Sequence, residues 1–186
     1  IWSRPIEGKP TTVTVTKDSA ERYFVSILCD VPELAPLPVT PRMVGIDLGL
    51  NDVAVTSDGF KSGAPKFHRK RLAQLKRAQK SLSRKVKGSK NRNKARIRIA
   101  RIHARIADAR RDFTHKLSTR LIHENKVIAV EDLSVRNMVK AHTLATSIHD
   151  AAWSELLRQL EYKATWYGRT LVKIDRWYPS SKRCHD

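Results

Sequence analysis

Apolar and polar residues alternate along two stretches near the start of the chain, and this pattern predicts a β-hairpin over residues 11–31. TTVTVT and RYFVSILCDV are rich in β-branched and aromatic residues, and KDSAE between them supplies the turn. Four prolines follow within VPELAPLPVTPR, where neither a helix nor a strand can continue. The prolines therefore place a domain boundary near residues 32–41, and we take residues 37–41 as the linker that precedes the main domain.

The main domain begins with patterns that are typical of strands. RMVGIDLGL and NDVAVTSDGF predict a second hairpin with Gly49 near its bend. MVGI is apolar at consecutive positions and so would be apolar on both faces of a strand, which indicates a central strand. KVIAV and TLVKID (170–175) predict two further strands later in the chain.

From residue 68 onward the apolar residues recur at steps of three and four, which is typical of helices. One stripe runs from Leu72 to Val86, KGSKN interrupts it, and a second runs from Ala95 to Leu121. Together they predict an antiparallel helical hairpin, apolar inside and basic outside. The stretch 132–150 is predicted to be irregular, and a helix over about 151–167 is expected to stop at Gly168. The order of elements predicts an α/β fold class with a mixed sheet and a long helical insertion at about 66–124.

The positive charge of the chain is concentrated in this insertion. Residues 66–111 hold nineteen Lys or Arg against one acid, Asp108, although the whole chain has a net charge of +19. Such a density of charge indicates a polyphosphate partner, since neutralised phosphates release condensed counterions. The alternative is a solvated basic face whose long side chains cover apolar surface. The candidate nucleic-acid-binding residues are Arg69, Lys70, Arg71, Lys76, Arg77, Lys80, Arg84, Lys85, Lys87, Lys90, Arg92, Lys94, Arg96, Arg98, Arg101 and Arg105.

Two predicted strands end in a carboxylate on either side of the insertion. Asp47 closes MVGID, and Glu131 follows KVIAV. If these strands are parallel neighbours, both carboxylates leave the same edge of the sheet. Two acids so close repel each other, and a divalent cation held by oxygen ligands, Mg²⁺ or Mn²⁺, would neutralise them and support phosphodiester hydrolysis. The alternative for Asp47 is a turn residue, as we expect for Asp52 and Asp58.

Other candidate residues have simpler interpretations. Asp132 follows Glu131 directly, points to the opposite face of an extended strand and is expected to cap the next turn or helix. The histidines other than His185 show no ligand spacing. Base stacking is possible for four aromatic residues, but their positions favour packing in the core or between domains: Trp153, Trp166, Trp177 and Tyr178.

The two cysteines, Cys29 and Cys184, are too few for a disulfide framework, so we expect a reducing, cytoplasmic compartment. The chain has neither a long apolar run nor a secretory signal. It starts without Met and ends at CHD, and we expect it to be a piece of a longer protein. Cys184 is either half of a C-x-x-C zinc site or a cysteine without a metal role. His185 is likewise either a metal ligand or a residue without a metal role.

Five segments together resemble one family: GIDLGLNDVAVTSDG, the basic helical hairpin, VIAVEDLSVRNMVK, AAWSELLRQLEYKATWYGR and IDRWYPSSKRC. The chain resembles TnpB, also called OrfB, the transposon-encoded RNA-guided DNA endonucleases related to compact type V CRISPR effectors. The resemblance covers about residues 11–186. It implies a RuvC nuclease domain of RNase H-like fold at 42–186, preceded by the last strands of a wedge-type β-barrel at 1–36.

The resemblance also implies roles for single residues. Asp47 is matched to the first RuvC carboxylate and Glu131 to the second, while Cys184 is matched to the first ligand of a zinc ribbon. The third catalytic Asp of the family lies beyond that ribbon and outside this chain. Spatial reasoning alone would propose Asp175 instead, but the resemblance places it at a non-catalytic position.

We therefore expect a fragment of an RNA-guided DNA endonuclease that uses Mg²⁺ or Mn²⁺, with a guide RNA and a DNA target as partners and Zn²⁺ in the full-length protein. The fragment alone is expected to cut poorly. Two alternatives stay open: an RNase H-like transposase that catalyses strand transfer, and a basic nucleic-acid-binding module without catalysis.

Overall fold

The computed structural model describes residues 6–32, 35–133, 138 and 142–175. The chain divides into two compact units, one formed by Ile1–Leu34 with Lys70–Asp108, the other by Ala35–Arg69 with Ala109–Asp186. These units cut across the boundaries predicted from the sequence, because the helical insertion contributes to both. The predicted domain boundaries stay a prediction.

The first unit contains the predicted β-hairpin, which is confirmed. Strands β1 (Lys9–Lys17) and β2 (Tyr23–Asp30) pair antiparallel with Val15 opposite Val25. Their connection is an Asp-stabilised turn, in which one carboxylate oxygen of Asp18 accepts hydrogen bonds from the backbone N–H groups of Ala20 and Arg22. Most side chains of both strands are exposed.

The second unit contains a mixed sheet, which confirms the predicted α/β class. Its strands lie in the order β4-β3-β5-β6, with β4 antiparallel to β3 and the other pairs parallel. Their bounds are β3 Met43–Asp47, β4 Val55–Thr56, β5 Val127–Glu131 and β6 Thr170–Ile174. The predicted hairpin around Gly49 is confirmed by the β3–β4 pair, and β3 is central, as expected.

Four helices have described bounds: α1 Phe67–Ser83, α2 Lys90–Glu124, α3 His142–Ala151 and α4 Trp153–Trp166. The expectation that 132–150 is irregular was wrong, because α3 occupies its second half. The sequence did not reveal α3 because the helix is only ten residues long and six of them are His, Thr, Ser or Asp, which have low helix propensity. The predicted stop at Gly168 is confirmed by its left-handed backbone, with φ of 63°.

The core of the second unit lies on one face of the sheet. Alternate residues of β3 and β5 are buried there against residues of α2, α3 and α4: Val44, Ile46, Ile128, Val130, Leu121, Ile122, Ile148, Trp153, Leu156 and Leu160. The other face of β3 is more open, with Met43 73% exposed, so MVGI is not buried on both faces. The period of two in a strand accounts for this difference between the faces.

The tryptophans differ in burial. Trp153 is 2% exposed and lies in the core, as predicted. Trp166 is 54% exposed and contacts Tyr162 edge-on, so it is not a core residue, and its packing against another domain stays a prediction. Trp177 and Tyr178 lie outside the described residues. Among the residues that the structure describes, none of the helices combines the length and the apolar character needed to cross a membrane.

Candidate functional site

The two predicted carboxylates lie side by side at one edge of the sheet. Strands β3 and β5 are parallel neighbours, with Gly45 opposite Ala129 and Ile46 opposite Val130. One step further along the same register, Asp47 lies opposite Glu131. Adjacent strands are about 4.8 Å apart. The prediction that these strands are parallel neighbours is therefore confirmed, and the shared edge is the one formed by their carboxyl ends.

Alternation along the strands puts both carboxylates on the less buried face. Ile46 and Val130, directly before them, point into the core, whereas Asp47 is exposed and Glu131 is half-buried. Within the described part of the chain, neither carboxylate takes part in a side-chain hydrogen bond or ion pair. Both are thus accessible from solvent and available as ligands.

The neighbouring acids are arranged differently. The backbone N–H of Asp132 donates to the carbonyl of Ile174 at 3.0 Å, which extends the β5–β6 ladder by one step. Glu131 lies opposite Ile174, so strand alternation assigns Asp132 and Asp175 to the face opposite Glu131. This register favours Glu131 over Asp175 as the partner of Asp47. Asp58 is a turn former as predicted, since it accepts from Thr56 and from the backbone N–H of Phe60. Asp52 accepts from the N–H of Gly63, eleven residues later, at 2.9 Å and so joins two loop segments.

The donor set at this edge fits a hard divalent cation. Two carboxylates supply only oxygen ligands, which suits an ion such as Mg²⁺ that keeps several waters in its coordination shell. In residues 6–32, 35–133, 138 and 142–175 there is no cluster of three or more His, Cys, Asp or Glu that could hold a metal. Metal binding by Asp47 and Glu131 stays a prediction, as does zinc binding by Cys184, which lies outside the described residues together with His185.

The basic segment folds as the predicted helical hairpin. The helices run antiparallel, since the rings of Phe67 and Phe113 meet edge-on near one end and Arg92 donates to the carbonyl of Leu82 near the other. Leu75 and Ala78 of α1 and Ile102 and Ile106 of α2 are buried. This confirms an apolar inside with basic residues outside.

The charges on this hairpin are largely uncompensated. Among the described residues, none of the sixteen candidate bases between Arg69 and Arg105 takes part in an ion pair. The ion pairs within the described residues involve other bases, such as Lys116 with Asp112 and Arg158 with Glu155. Cations that form no ion pair within the described part of the chain keep their charge available to an external polyanion.

Sequence reasoning missed a buried carboxylate at the base of the hairpin. The side chain of Asp150 is 8% exposed and accepts the backbone N–H of His68 at 3.1 Å from both oxygens. It also pairs with Arg110 at 3.2 Å. Asp150 therefore links the first turn of α1, at His68, to α2, at Arg110. No local sequence pattern indicates this role, because His68 lies 82 residues and Arg110 lies 40 residues from Asp150 in the sequence.

A second feature missed from the sequence is a buried polar network between α2 and α4. The ammonium of Lys163 donates to Ser118 Oγ at 2.8 Å, to Thr119 Oγ1 at 2.7 Å and to the carbonyl of His115 at 3.0 Å. Gln159 bonds both Ser118 and Thr114. Burial lowers the pKa of Lys163. Burial also lowers the pKa of His115, and the positive charge of Lys163 lowers it further.

Comparison with protein families gives two matches. A model described as a probable transposase, OrfB of IS605 type, matches residues 26–142. A second model, the TNB domain of Cas12f1-like proteins, matches residues 153–186. The first match spans both Asp47 and Glu131 as well as the whole basic hairpin.

Curated relatives carry related names. A "Putative RNA-guided DNA endonuclease" of Streptomyces pristinaespiralis is 56% identical over 98% of this chain and 46% of its own length. The protein of the same description named InsQ, from Escherichia coli K12, is 34% identical over 98% of this chain and 48% of its own. A third, from Mycobacterium tuberculosis, is 32% identical over 87% of this chain and 37% of its own. The chain thus spans about half the length, or less, of the curated relatives it matches.

Proposed function

The chain belongs to the OrfB family of probable transposases, and from this premise we propose that it is part of an RNA-guided DNA endonuclease that hydrolyses phosphodiester bonds with a divalent metal. The relatives named as such enzymes support the proposal. The observation that carries it is the register of β3 and β5, which brings Asp47 and Glu131 to the same level and the same face of the sheet.

Asp47 and Glu131 would hold Mg²⁺ or Mn²⁺ at the carboxyl edge of the sheet. When bound, such an ion supplies an activated water and stabilises the leaving oxygen in phosphodiester hydrolysis. The two side chains fix the position of the site because each directly follows a residue anchored in the core, Ile46 or Val130. Their exposure leaves the opposite side of the site open to a DNA strand.

The basic hairpin would hold a guide RNA, or the hybrid of guide and target, through backbone phosphates. The candidate bases form no ion pairs within the described residues, so their charge is available for that contact. Phosphate contacts position a nucleic acid without reading its sequence, and base pairing with the guide would supply specificity.

The proposal also assigns each part of the chain to a domain of the family. The sheet and helices of the second unit would be a RuvC-like nuclease domain, and the hairpin β1–β2 would be the end of a preceding β-barrel. The exposed side chains of that hairpin support the second part, since an isolated two-stranded ribbon is marginal in water. Cys184 would be one ligand of a zinc site that the longer protein completes.

The test uses the full-length protein that contains this chain, loaded with its guide RNA. We expect Asp47→Asn and Glu131→Gln each to reduce Mg²⁺-dependent cleavage of target DNA to background while guide and target binding persist. Asp58→Asn is the matched control, because Asp58 is an exposed acid that belongs to a turn. Persistent cleavage by Asp47→Asn would overturn the proposal. Activity on transposon ends that needs no guide would favour a strand-transferring transposase instead.

A further inference from the structure

A pocket opens between the two helices of the basic hairpin. Four of its lining residues come from α1 and one from α2: Gln74, Arg77, Ala78, Ser81 and Arg98. Its volume is about 450 Å³, within the range of roughly 300–1,000 Å³ that is usual for small-ligand sites. The α1 residues recur at steps of three and four, so they share one face of that helix. All five belong to a single compact unit.

The lining of this pocket is suited to an anion. Arg77 and Arg98 are the charged residues of the lining, and no acidic residue is among the lining residues. Neither arginine forms an ion pair in the described part of the chain. A weak bond from Arg77 Nε to the carbonyl of Ala73, at 3.4 Å, orients the guanidinium and leaves its terminal nitrogens available. Guanidinium groups bind phosphate oxygens through paired, charge-assisted hydrogen bonds.

The uncharged residues of the pocket add a second kind of contact. Gln74 and Ser81 both donate and accept hydrogen bonds, as a hydroxyl partner requires. The side chain of Ala78, which is 7% exposed, supplies a small apolar floor between them. An amide and a hydroxyl beside two arginines suit both a phosphate oxygen and a ribose hydroxyl. The 2′-hydroxyl of a ribose both donates and accepts, and it is the group by which a protein distinguishes RNA from DNA.

We propose that this pocket binds one ribose–phosphate unit of an RNA strand, with Arg77 and Arg98 on the phosphate and Gln74 and Ser81 on the 2′-hydroxyl. This inference rests on the proposed nucleic-acid partner of the hairpin and names a contact that fixes the strand at one position along it. The other bases of the hairpin attract the same strand without fixing its position.

The experiment measures binding of the purified protein to a single-stranded RNA, and to DNA and 2′-O-methyl RNA of the same sequence, over a range of salt concentrations. Arg77→Ala with Arg98→Ala is compared with Arg84→Ala with Arg105→Ala, which removes the same charge outside the pocket. Each pair should lower the slope of log affinity against log salt by about 1.4. At fixed salt the pocket pair should lose about tenfold more affinity than the control pair, since it loses bidentate bonds.

Substitution of the uncharged residues Gln74 and Ser81 tests whether the pocket distinguishes RNA from DNA. Gln74→Ala with Ser81→Ala should weaken RNA binding by about tenfold and leave binding of DNA and 2′-O-methyl RNA unchanged. Arg77→Lys with Arg98→Lys keeps the charge and the helix propensity but removes the guanidinium groups. This variant should still bind RNA more weakly than the wild-type protein, and such a loss cannot be attributed to unfolding.

Two results would overturn the inference while leaving the proposed function intact: an equal loss in both arginine pairs, or an equal loss of RNA and DNA in Gln74→Ala with Ser81→Ala. In the second case the pocket binds a phosphate of either nucleic acid. A protein that binds neither RNA nor DNA in a salt-dependent way would contradict the nucleic-acid partner itself, and the pocket with it.

Discussion

Asp108, the single acid among the nineteen bases of residues 66–111, is bound by Arg22 from the β-hairpin 86 residues earlier. The guanidinium of Arg22 donates to both oxygens of this carboxylate and also to Asp18. These hydrogen bonds raise the pKa of Arg22 above its usual value, and the bond to Asp108 has the largest effect. The pair fastens the turn of the hairpin to α2, where Arg101 also donates to the carbonyl of Ala20 at 3.4 Å.

We expect the effects of Arg22→Ala and Asp108→Ala on the melting temperature to be less than additive. Because the pair is exposed, each substitution should lower Tm by at most about 4 °C, with the larger effect for Arg22→Ala, which also loses Asp18. The double variant should match Arg22→Ala. Thermal unfolding followed by circular dichroism measures this, and a fully additive double variant would contradict the pairing.

The turn between α4 and β6 leads to a second prediction. Gly168 has φ of 63°, and a Cβ placed on it would lie 3.0 Å from Pro36 Cβ. Gly168→Ala should reduce the free energy of unfolding by about 1–2 kcal/mol through backbone strain alone, and by more because Pro36 must move. Gly59→Ala is the control, since Gly59 has φ of 87° with no atom within 4 Å of such a Cβ. If urea unfolding shows equal losses of unfolding free energy in the two variants, the contact with Pro36 does not contribute to the effect.

The junction between α3 and α4 contains a strained alanine. Ala152 has φ of 55°, a left-handed conformation that costs residues with a Cβ about 1–2 kcal/mol. Ala152→Gly should therefore raise the free energy of unfolding by about 0.5–1 kcal/mol, less than the full strain because glycine gains freedom in the unfolded chain. Ala164→Gly, inside α4, should lower it by about 1 kcal/mol or more. Urea titration of both variants tests the pair, and a loss of stability in Ala152→Gly would refute the explanation.

His115 should make stability depend on pH. Burial, aided by the charge of Lys163, holds its folded-state pKa below the ordinary value of 6.5. The unfolded chain then binds more protons between those two pKa values, so the free energy of unfolding falls as pH drops below 6.5 through the folded-state pKa. His115→Gln should lose less stability between pH 7.5 and pH 5 than the wild type. His103→Gln, at an exposed position of α2, should show the wild-type loss; an unchanged pH dependence in His115→Gln would contradict the assignment.

The Lys163 network gives a final prediction. Lys163→Met removes the donor shared by Ser118, Thr119 and the carbonyl of His115. The free energy of unfolding should fall by about 1–3 kcal/mol, because buried acceptors lose their partner. The pKa of His115, followed by NMR, should rise toward its ordinary value. Lys173→Met, which removes an exposed ion pair with Glu161, should leave the pKa of His115 unchanged, and a rise in that variant would argue against a local effect.

The local elements of this fold were predictable from the sequence because they depend on short-range periodicity. Alternation gave the strands around Val15 and Val25, spacing by three and four gave α1 and α2, and Gly168 marked the end of α4. The same local information singled out Asp47 and Glu131 as candidates, since each closes an apolar run, and their role as metal ligands stays a prediction. Helix α3 escaped because its short, mostly polar sequence resembles a loop.

What the tertiary structure alone decided is which distant residues meet. The sequence placed carboxylates at two strand ends, but only the pairing of Gly45 with Ala129 brings Asp47 and Glu131 to one level of one face. Likewise, the joining of His68 and Arg110 by Asp150, and the pocket shared by Arg77 and Arg98, depend on contacts across loops. Periodicity depends only on residues that are close in the sequence. Strand register and helix contacts depend on how residues from all parts of the chain pack into one core. The sequence determined the chemistry that the chain carries, and the tertiary packing decided where that chemistry is assembled.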